Sequence, residues 1–391
     1  MREFIELFGG HMMSEVPNPY PVYAELRRRE PVKPMEFPLG PTFMVTRFDD
    51  VMAVLRDATV FSSSANGKGI GLVMGRTIIE MDGQEHLHHR NLLAPAFLPK
   101  QLRAGLDKVI EGLAHELLDE IAAHGEADLV SEFTRNFPVR IIAHLIGIPV
   151  EEYEKFQQWS FDLIGFASEP LKGFAASEAL VQFLKPLIAL RRVEPRDDLL
   201  TTLTHAEVDG HSLTDEEIYS FMRLLLPAGA ETTFRLMGTT LFALLAEPQL
   251  YERVRADRSQ VHWALEEALR WDAPVQYVSR ETTIATHLHG VEIPPAHYIL
   301  VAIGSANRDE EHFAEPDRFD LDRHAAEHIA FGFGRHFCLG SHLARLEATI
   351  GINAVLDRLP NLRLDPSREA AIVGLAFRSP NQLPVRFDAA R

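Results

Sequence analysis

The chain has 391 residues, 46% of them apolar, and a net charge of −17, so it can bury a sizeable core and is a poor partner for nucleic acid. Its single cysteine excludes an intramolecular disulfide framework and a multi-cysteine metal site. No Pro/Gly/Ser-rich linker, low-complexity run or repeat divides it, so residues 1–391 read as one domain. No run of about 18 apolar residues occurs, and Met1-Arg2-Glu3-Phe4-Ile5-Glu6 reads as neither signal peptide nor anchor. These features predict a cytoplasmic protein with no membrane partner.

In chain order, residues 21–29 predict a short helix ending before Pro31, 42–46 a strand and 49–56 a helix. Residues 62–75 are rich in Gly and Ser, with Ile70, Leu72 and Met74 interleaved. Such a loop can open and touch a ligand, or simply cover the surface. Asp82 opens a helix on which His86 and Arg90, four apart, share a face where two donors can hold a carboxylate. His86, His88 and His89 lack a carboxylate ligand and read as a solvated helix face rather than a metal site. Leu102, Leu106, Ile110, Leu113, Leu117 and Ile121 repeat at helical spacing before a C-cap at Gly125, and 137–148 predicts a further buried helix. Trp159, Phe161, Leu163, Ile164, Phe166, Leu171 and Phe174 crowd a helix–loop–helix region that plain core packing would also explain.

Thr214-Asp215-Glu216-Glu217 is a capping box that starts the longest helix, apolar to about Leu245. Some thirty residues at ~1.5 Å each span ~45 Å, enough to cross a domain. Halfway along sits Pro227-Ala228-Gly229-Ala230-Glu231-Thr232-Thr233. Ala228, Gly229 and Thr232 fall on one face, leaving room for a flat cofactor beside a hydroxyl, although Ala-Gly also suits close helix packing. Pro227 frees the Arg223 carbonyl at a cost of ~3 kcal/mol, which predicts a kink and a ring turned towards substrate. Glu267 and Arg270 lie three apart on a helix, 275–280 alternates as a strand, His289-Gly290 turns a hairpin, and 374–387 closes the chain in strands. Between them lies Phe331-Gly332-Phe333-Gly334-Arg335-His336-Phe337-Cys338-Leu339-Gly340, with three glycines within six residues of the only cysteine. A strong helix-forming run follows, so peptide dipoles should favour a Cys338 thiolate, a candidate axial ligand for haem iron. A lone cysteine is otherwise a small core hydrophobe.

The patterns F-G-x-G-x-H-x-C-x-G, A-G-x-[DE]-T-[TS], E-x-x-R and P-x-R-F stand in the order found in the cytochrome P-450 family. Through them the chain resembles that family, in its soluble bacterial type, over almost its whole length. The resemblance implies a mainly α fold with a smaller antiparallel β region, and haem b between the long central helix and the helix after the cysteine loop. It implies Cys338 as the iron ligand and His86, Arg90, Arg280 and His336 as partners of the haem propionates. Glu231 and Thr232 would organise water that delivers protons to bound dioxygen. Glu267, Arg270 and Arg318 would form a buried structural triad, and 159–175 a lid over the substrate channel.

The implied activity is hydroxylation of an apolar small molecule with dioxygen and two electrons. Those electrons would come from a separate ferredoxin or flavodoxin-type donor with its reductase, because the chain has neither a G-x-G-x-x-G strand–helix unit nor an iron–sulfur cysteine pattern. An apolar pocket is expected from 62–80, 159–175, Leu224 to Ala228 with Pro227, Val275 to Val278, and Ala376-Phe377. Such a wall suits a terpenoid, steroid, fatty acid or aromatic. Two alternatives stand beside this reading: a peroxide-using haem-thiolate enzyme, against which the intact Glu231–Thr232 pair argues, and a haem-binding sensor or carrier without turnover.

Overall fold

The structure, a computed structural model, describes residues 2–37, 40–102 and 105–389. Met1 and residues 103–104, which fall in the predicted opening segment and in the helix predicted from Leu102, lie outside these ranges, as do 38–39 and 390–391.

The longest element is the central helix, Asp215–Ala246. It begins where the capping box places it: the Thr214 hydroxyl accepts from the Glu217 N–H at 3.3 Å, and the Glu217 carboxylate accepts from the Thr214 N–H at 2.8 Å. Its apolar residues surround it, because helices Phe137–Ile146, Tyr153–Ile164, Gln260–Trp271 and Ser341–Arg358 all pack on it. Two core clusters meet along its length. Ile218, Met222 and Leu226 join Ile142, Leu180 and Leu184, whereas Leu236, Met237, Leu241 and Leu244 join Phe137, Leu265 and Ile352. Each such side chain, fully buried, contributes ~1.5–3 kcal/mol. The helix runs through Pro227 without a break.

A five-stranded sheet lies in the order Val32–Phe37, Gly40–Val45, Tyr298–Val301, Val278–Thr282, Phe61–Ser62. Its pairs are antiparallel except the one between Gly40–Val45 and Tyr298–Val301. The predicted strand at 275–280 starts only at Val278, because the Gln276 N–H is given to the Ala376 carbonyl instead of a sheet neighbour. The turn of hairpin Thr286–Leu288/Val291–Ile293 is His289-Gly290, with φ of 48° and 77°. Of the predicted closing strands at 374–387, Ser379–Pro380 and Pro384–Arg386 pair as strands.

Residues 62–75 fold into two helical turns, Ser63–Lys68 and Gly71–Met74, rather than an irregular loop. The helix Pro170–Val193 is long and apolar enough by length and composition to cross a bilayer, although Lys172, Glu178 and Lys185 interrupt its apolar run. Its Ala176, Leu180, Leu184 and Ile188, four apart, turn inward to the core.

Candidate active site

The loop that presents Cys338 depends on two glycines in the left-handed region, Gly332 at φ 71° and Gly334 at φ 72°. A Cβ on Gly334 would stand 2.8 Å from the Leu55 carbonyl oxygen, so space as well as conformation demands glycine there. The Cys338 N–H donates to the Phe331 carbonyl at 2.9 Å and closes the loop just before the cysteine helix, Ser341–Arg358. Burial pushes the thiol up, and it outweighs the backbone amides of Gly340 and Ser341 and the charges of Arg90 and Arg345. The amides at the start of the cysteine helix thus favour the thiolate, as the sequence reading expects, and a metal cation bound to the sulfur would favour it further.

Cys338 is exposed to a cavity of about 370 Å³ that runs between the cysteine helix and the central helix. Ala228, Gly229 and Thr232 line it, as do Leu224 and Val278 of the predicted pocket and Asn66, Ile78 and Ile79 of 62–80. Pro227 and Phe377 do not. Leu224, Ala228 and Thr232 form one stripe at spacing four, whereas Pro227 and Glu231 form another about a hundred degrees round the helix. The Glu231 carboxylate is buried and accepts from Arg235 at 2.9 and 3.2 Å, and Arg235 in turn donates to the Ser379 hydroxyl at 3.2 Å. Phe377 instead bridges to Val275 and lies 5.6 Å from the Arg235 guanidinium. No residue of 159–175 reaches the cavity wall, and Trp159 packs on Phe156 and Phe183 with ring centroids 5.3 and 5.8 Å apart.

The other predicted groups gather on the same cavity. The strand period of two sends Val278 and Arg280 to it together. Arg280 is 6% exposed, has no carboxylate partner among the described residues, and donates only to the Ser279 carbonyl at 2.8 Å. Burial brings its guanidinium down to about 10 against the pull of Asp82. The rings of His86 and His336 lie 4.2 Å apart. His336 Nε2 stands 2.9 Å from the Ser63 hydroxyl and 3.5 Å from Asp82, yet burial, with the charges of Arg280 and His86, brings it down to about 4. His86 Nε2 is buried without a partner. A buried guanidinium without a carboxylate and an orphaned imidazole nitrogen on the same cavity wall suit an anion. Arg90 also lines the cavity, and its Nη2 donates to the Phe337 carbonyl at 2.8 Å, bracing the cysteine loop.

These features fit haem. Sulfur is a suitable axial ligand, the unpaired cation and imidazoles suit propionates, and a Cβ on cavity-lining Gly340 would meet no protein atom within 4 Å.

The expected triad needs correction. Arg270 donates to Glu267 at 2.8 and 2.7 Å, but the third member is Arg323, 3.2 Å from Glu267. The Arg318 side chain is 61% exposed and pairs with Glu315, while only its carbonyl accepts from Arg270 at 3.0 Å. Sequence reasoning also missed Glu347, which lines the cavity at 1% exposure with neither carboxylate oxygen hydrogen-bonded. Burial pushes its carboxyl well above the usual carboxylate range, against the nearby Thr233 hydroxyl. An acid nine residues after Cys338, set between Leu346 and Ala348, was the available signal.

Fold and site together define a haem-thiolate protein. The cytochrome P450 family model matches residues 152–369. Cytochrome P450 107B1 of Saccharopolyspora erythraea is 36% identical over 382 residues, covering 93% of this chain and 94% of that protein. Vitamin D(3) 25-hydroxylase of Pseudonocardia autotrophica is 34% identical over 367 residues, 92% of this chain and 90% of that one. The crystal structure of CYP109E1 from Bacillus megaterium in complex with testosterone is similar at a TM-score of 0.87 and 32% identity, over 95% of this chain and 99% of the other. The chain belongs to the cytochrome P450 family: it is a monooxygenase whose cofactor is haem b.

Proposed function

We propose that this monooxygenase hydroxylates a neutral, apolar small molecule with two electrons from a separate ferredoxin or flavodoxin-type donor and its reductase. The observation that carries the reading is the cavity wall, which combines the Cys338 sulfur, the small residues Ala228 and Gly229, and aliphatic Ile78, Ile79, Leu224, Val275 and Val278. Relatives named for vitamin D(3) or solved with testosterone support an apolar substrate. Because the cavity draws on residues from Leu55 to Glu347, we treat 1–391 as one functional domain, and its likeness to bacterial relatives supports our placing it in the cytoplasm.

Bound in this cavity, haem b supplies the activation of dioxygen. Cys338 would hold its iron, while His86, Arg90, Arg280 and His336 would take the propionates, each charge-assisted bond contributing ~1.5–3 kcal/mol. The aliphatic wall excludes bulk water and orients a C–H bond. Thr232 is the residue we assign to proton delivery. Its Oγ1 donates to the Ala228 carbonyl at 2.6 Å, and a change of rotamer turns that proton towards the cavity. Glu231 reaches the same path only when its pair with Arg235 opens, so we assign it a supporting part in proton supply.

The test supplies the purified protein with a surrogate ferredoxin, its reductase and a panel of apolar compounds. Steady-state hydroxylated product matched to reductant consumption is the expected result. Product with hydrogen peroxide alone would point to the peroxide-using alternative, and haem binding without product by either route to a sensor or carrier.

A further inference from the structure

We propose that Asn66 selects the substrate by accepting a hydrogen bond from a substrate hydroxyl, so that the site prefers neutral apolar alcohols to the matching ketones and carboxylates. The inference deepens the proposed function and rests on the cavity being the substrate pocket. Asn66 lies in the helical turn Ser63–Lys68 and shares the cavity wall with Ile78, Ile79 and Leu224. Both protons of its amide are committed: Nδ2 donates to the Ser63 carbonyl at 3.0 Å and to the Ile79 carbonyl at 2.8 Å. Flipping the amide would set its oxygen against those two carbonyl oxygens, so chemistry alone fixes the orientation.

The Asn66 amide oxygen accepts no hydrogen bond among the described residues, nor is it sealed among the buried unpartnered atoms. It is a neutral acceptor with lone pairs to fill, and only a donor can fill them. The other polar side chains on the wall lie elsewhere: Glu347, on the cysteine helix, is buried beside the Thr233 hydroxyl of the central helix. Thr232 donates to Ala228, and His86, Arg90, Arg280 and His336 face the propionate site. A ketone meets Asn66 acceptor to acceptor and leaves it unpaired, and a carboxylate adds its charge to the same mismatch. Ser63, whose carbonyl holds the amide, also stands 2.9 Å from His336 of the cysteine loop. The acceptor is therefore tied to the loop that carries Cys338, and a hydroxyl held there sets which carbon lies over the reactive centre.

The haem-loaded enzyme is titrated optically with cyclododecanol against cyclododecanone, with cyclododecanecarboxylic acid, and with testosterone against its 17-keto counterpart. The expected result is that the alcohol of each pair binds about tenfold more tightly than its ketone, with the acid weakest. In Asn66→Leu that ratio should fall to about one. Losing two loop bonds can weaken both ligands, so the ratio is the readout, and the ferrous carbon monoxide spectrum confirms a loaded site in both proteins. Equal affinities within both wild-type pairs, failure of both alcohols to bind, or an unchanged ratio in Asn66→Leu each overturn the inference. A wild-type enzyme without the thiolate-type carbon monoxide band would overturn the haem-thiolate reading and this inference with it, whereas an intact band with no alcohol preference removes the inference alone.

Discussion

Glu266 and Arg345 are joined by two hydrogen bonds of 2.6 and 2.8 Å, which tie the helix Gln260–Trp271 to the cysteine helix. Arg345 lies 4.4 Å from the centre of the Phe331 ring at the start of the cysteine loop, and Glu266 also takes His328 Nε2 at 3.0 Å. The next residue, Glu267, holds Arg270 and Arg323. Two consecutive carboxylates thus clamp both sides of the segment that leads to Cys338.

That clamp makes stability depend on pH. Burial pushes Glu266 up, but the bonds from Arg345 and His328 outweigh it and bring the carboxyl down to about 2 from an ordinary 4.5. A depressed folded value adds stability that is fully present above pH 4.5 and is lost as pH falls through about 2. At neutral pH the shift corresponds to ~3 kcal/mol. Glu266→Gln should lose a comparable amount in denaturant titrations at pH 7 and show a shallower acid limb. An unchanged acid limb would show that the clamp does not carry the effect.

Cys338→Ala removes the only sulfur on the cavity wall among the described residues. The ferrous variant with carbon monoxide should lose the red-shifted Soret band of thiolate ligation while keeping its helical circular dichroism. Retention of that band would mean that another group holds the iron.

Arg280 has no carboxylate partner among the described residues, so its charge should matter most to a bound propionate. Arg280→Ala should release haem to an acceptor protein roughly 10- to 100-fold faster, from a charge-assisted bond of ~1.5–3 kcal/mol. Transfer at the wild-type rate would remove Arg280 from the set.

For Thr232→Ala, reductant consumption should continue while peroxide accumulates and hydroxylated product falls, since a positioned proton donor contributes ~10²–10⁴ in rate. Haem binding should be unaffected. Glu231→Gln should instead slow the whole cycle without the same leak, because it acts through the Arg235 pair at the flank of the helix. Full coupling in Thr232→Ala would end the role assigned to its hydroxyl.

Pro227 is buried and off the cavity wall, so Pro227→Ala should raise the melting temperature through a helix bond regained by the Arg223 carbonyl, worth up to ~3 kcal/mol. Substrate affinity and product profile should not change. A shifted product profile would restore the idea that this ring shapes the pocket.

Features that depend on near neighbours were legible without coordinates. The Thr214 capping box, the His289-Gly290 turn and the stripe of Ala228, Gly229 and Thr232 follow from backbone geometry and helical or strand period, which act over a few residues. The cysteine loop was legible for the same reason, since its glycines report a left-handed backbone conformation that side chains disfavour. Only packing decided which arginine closes on Glu267: Arg318 and Arg323 are five residues apart on one irregular segment, and the local sequence places neither charge inside. The same holds for Asn66, whose free acceptor exists because Ile79, thirteen residues on, returns its carbonyl to the amide, and for Glu347, whose raised carboxyl depends on what surrounds it. Partnership across the chain and the loss of water around a charge are set by tertiary contacts, which sequence period does not encode.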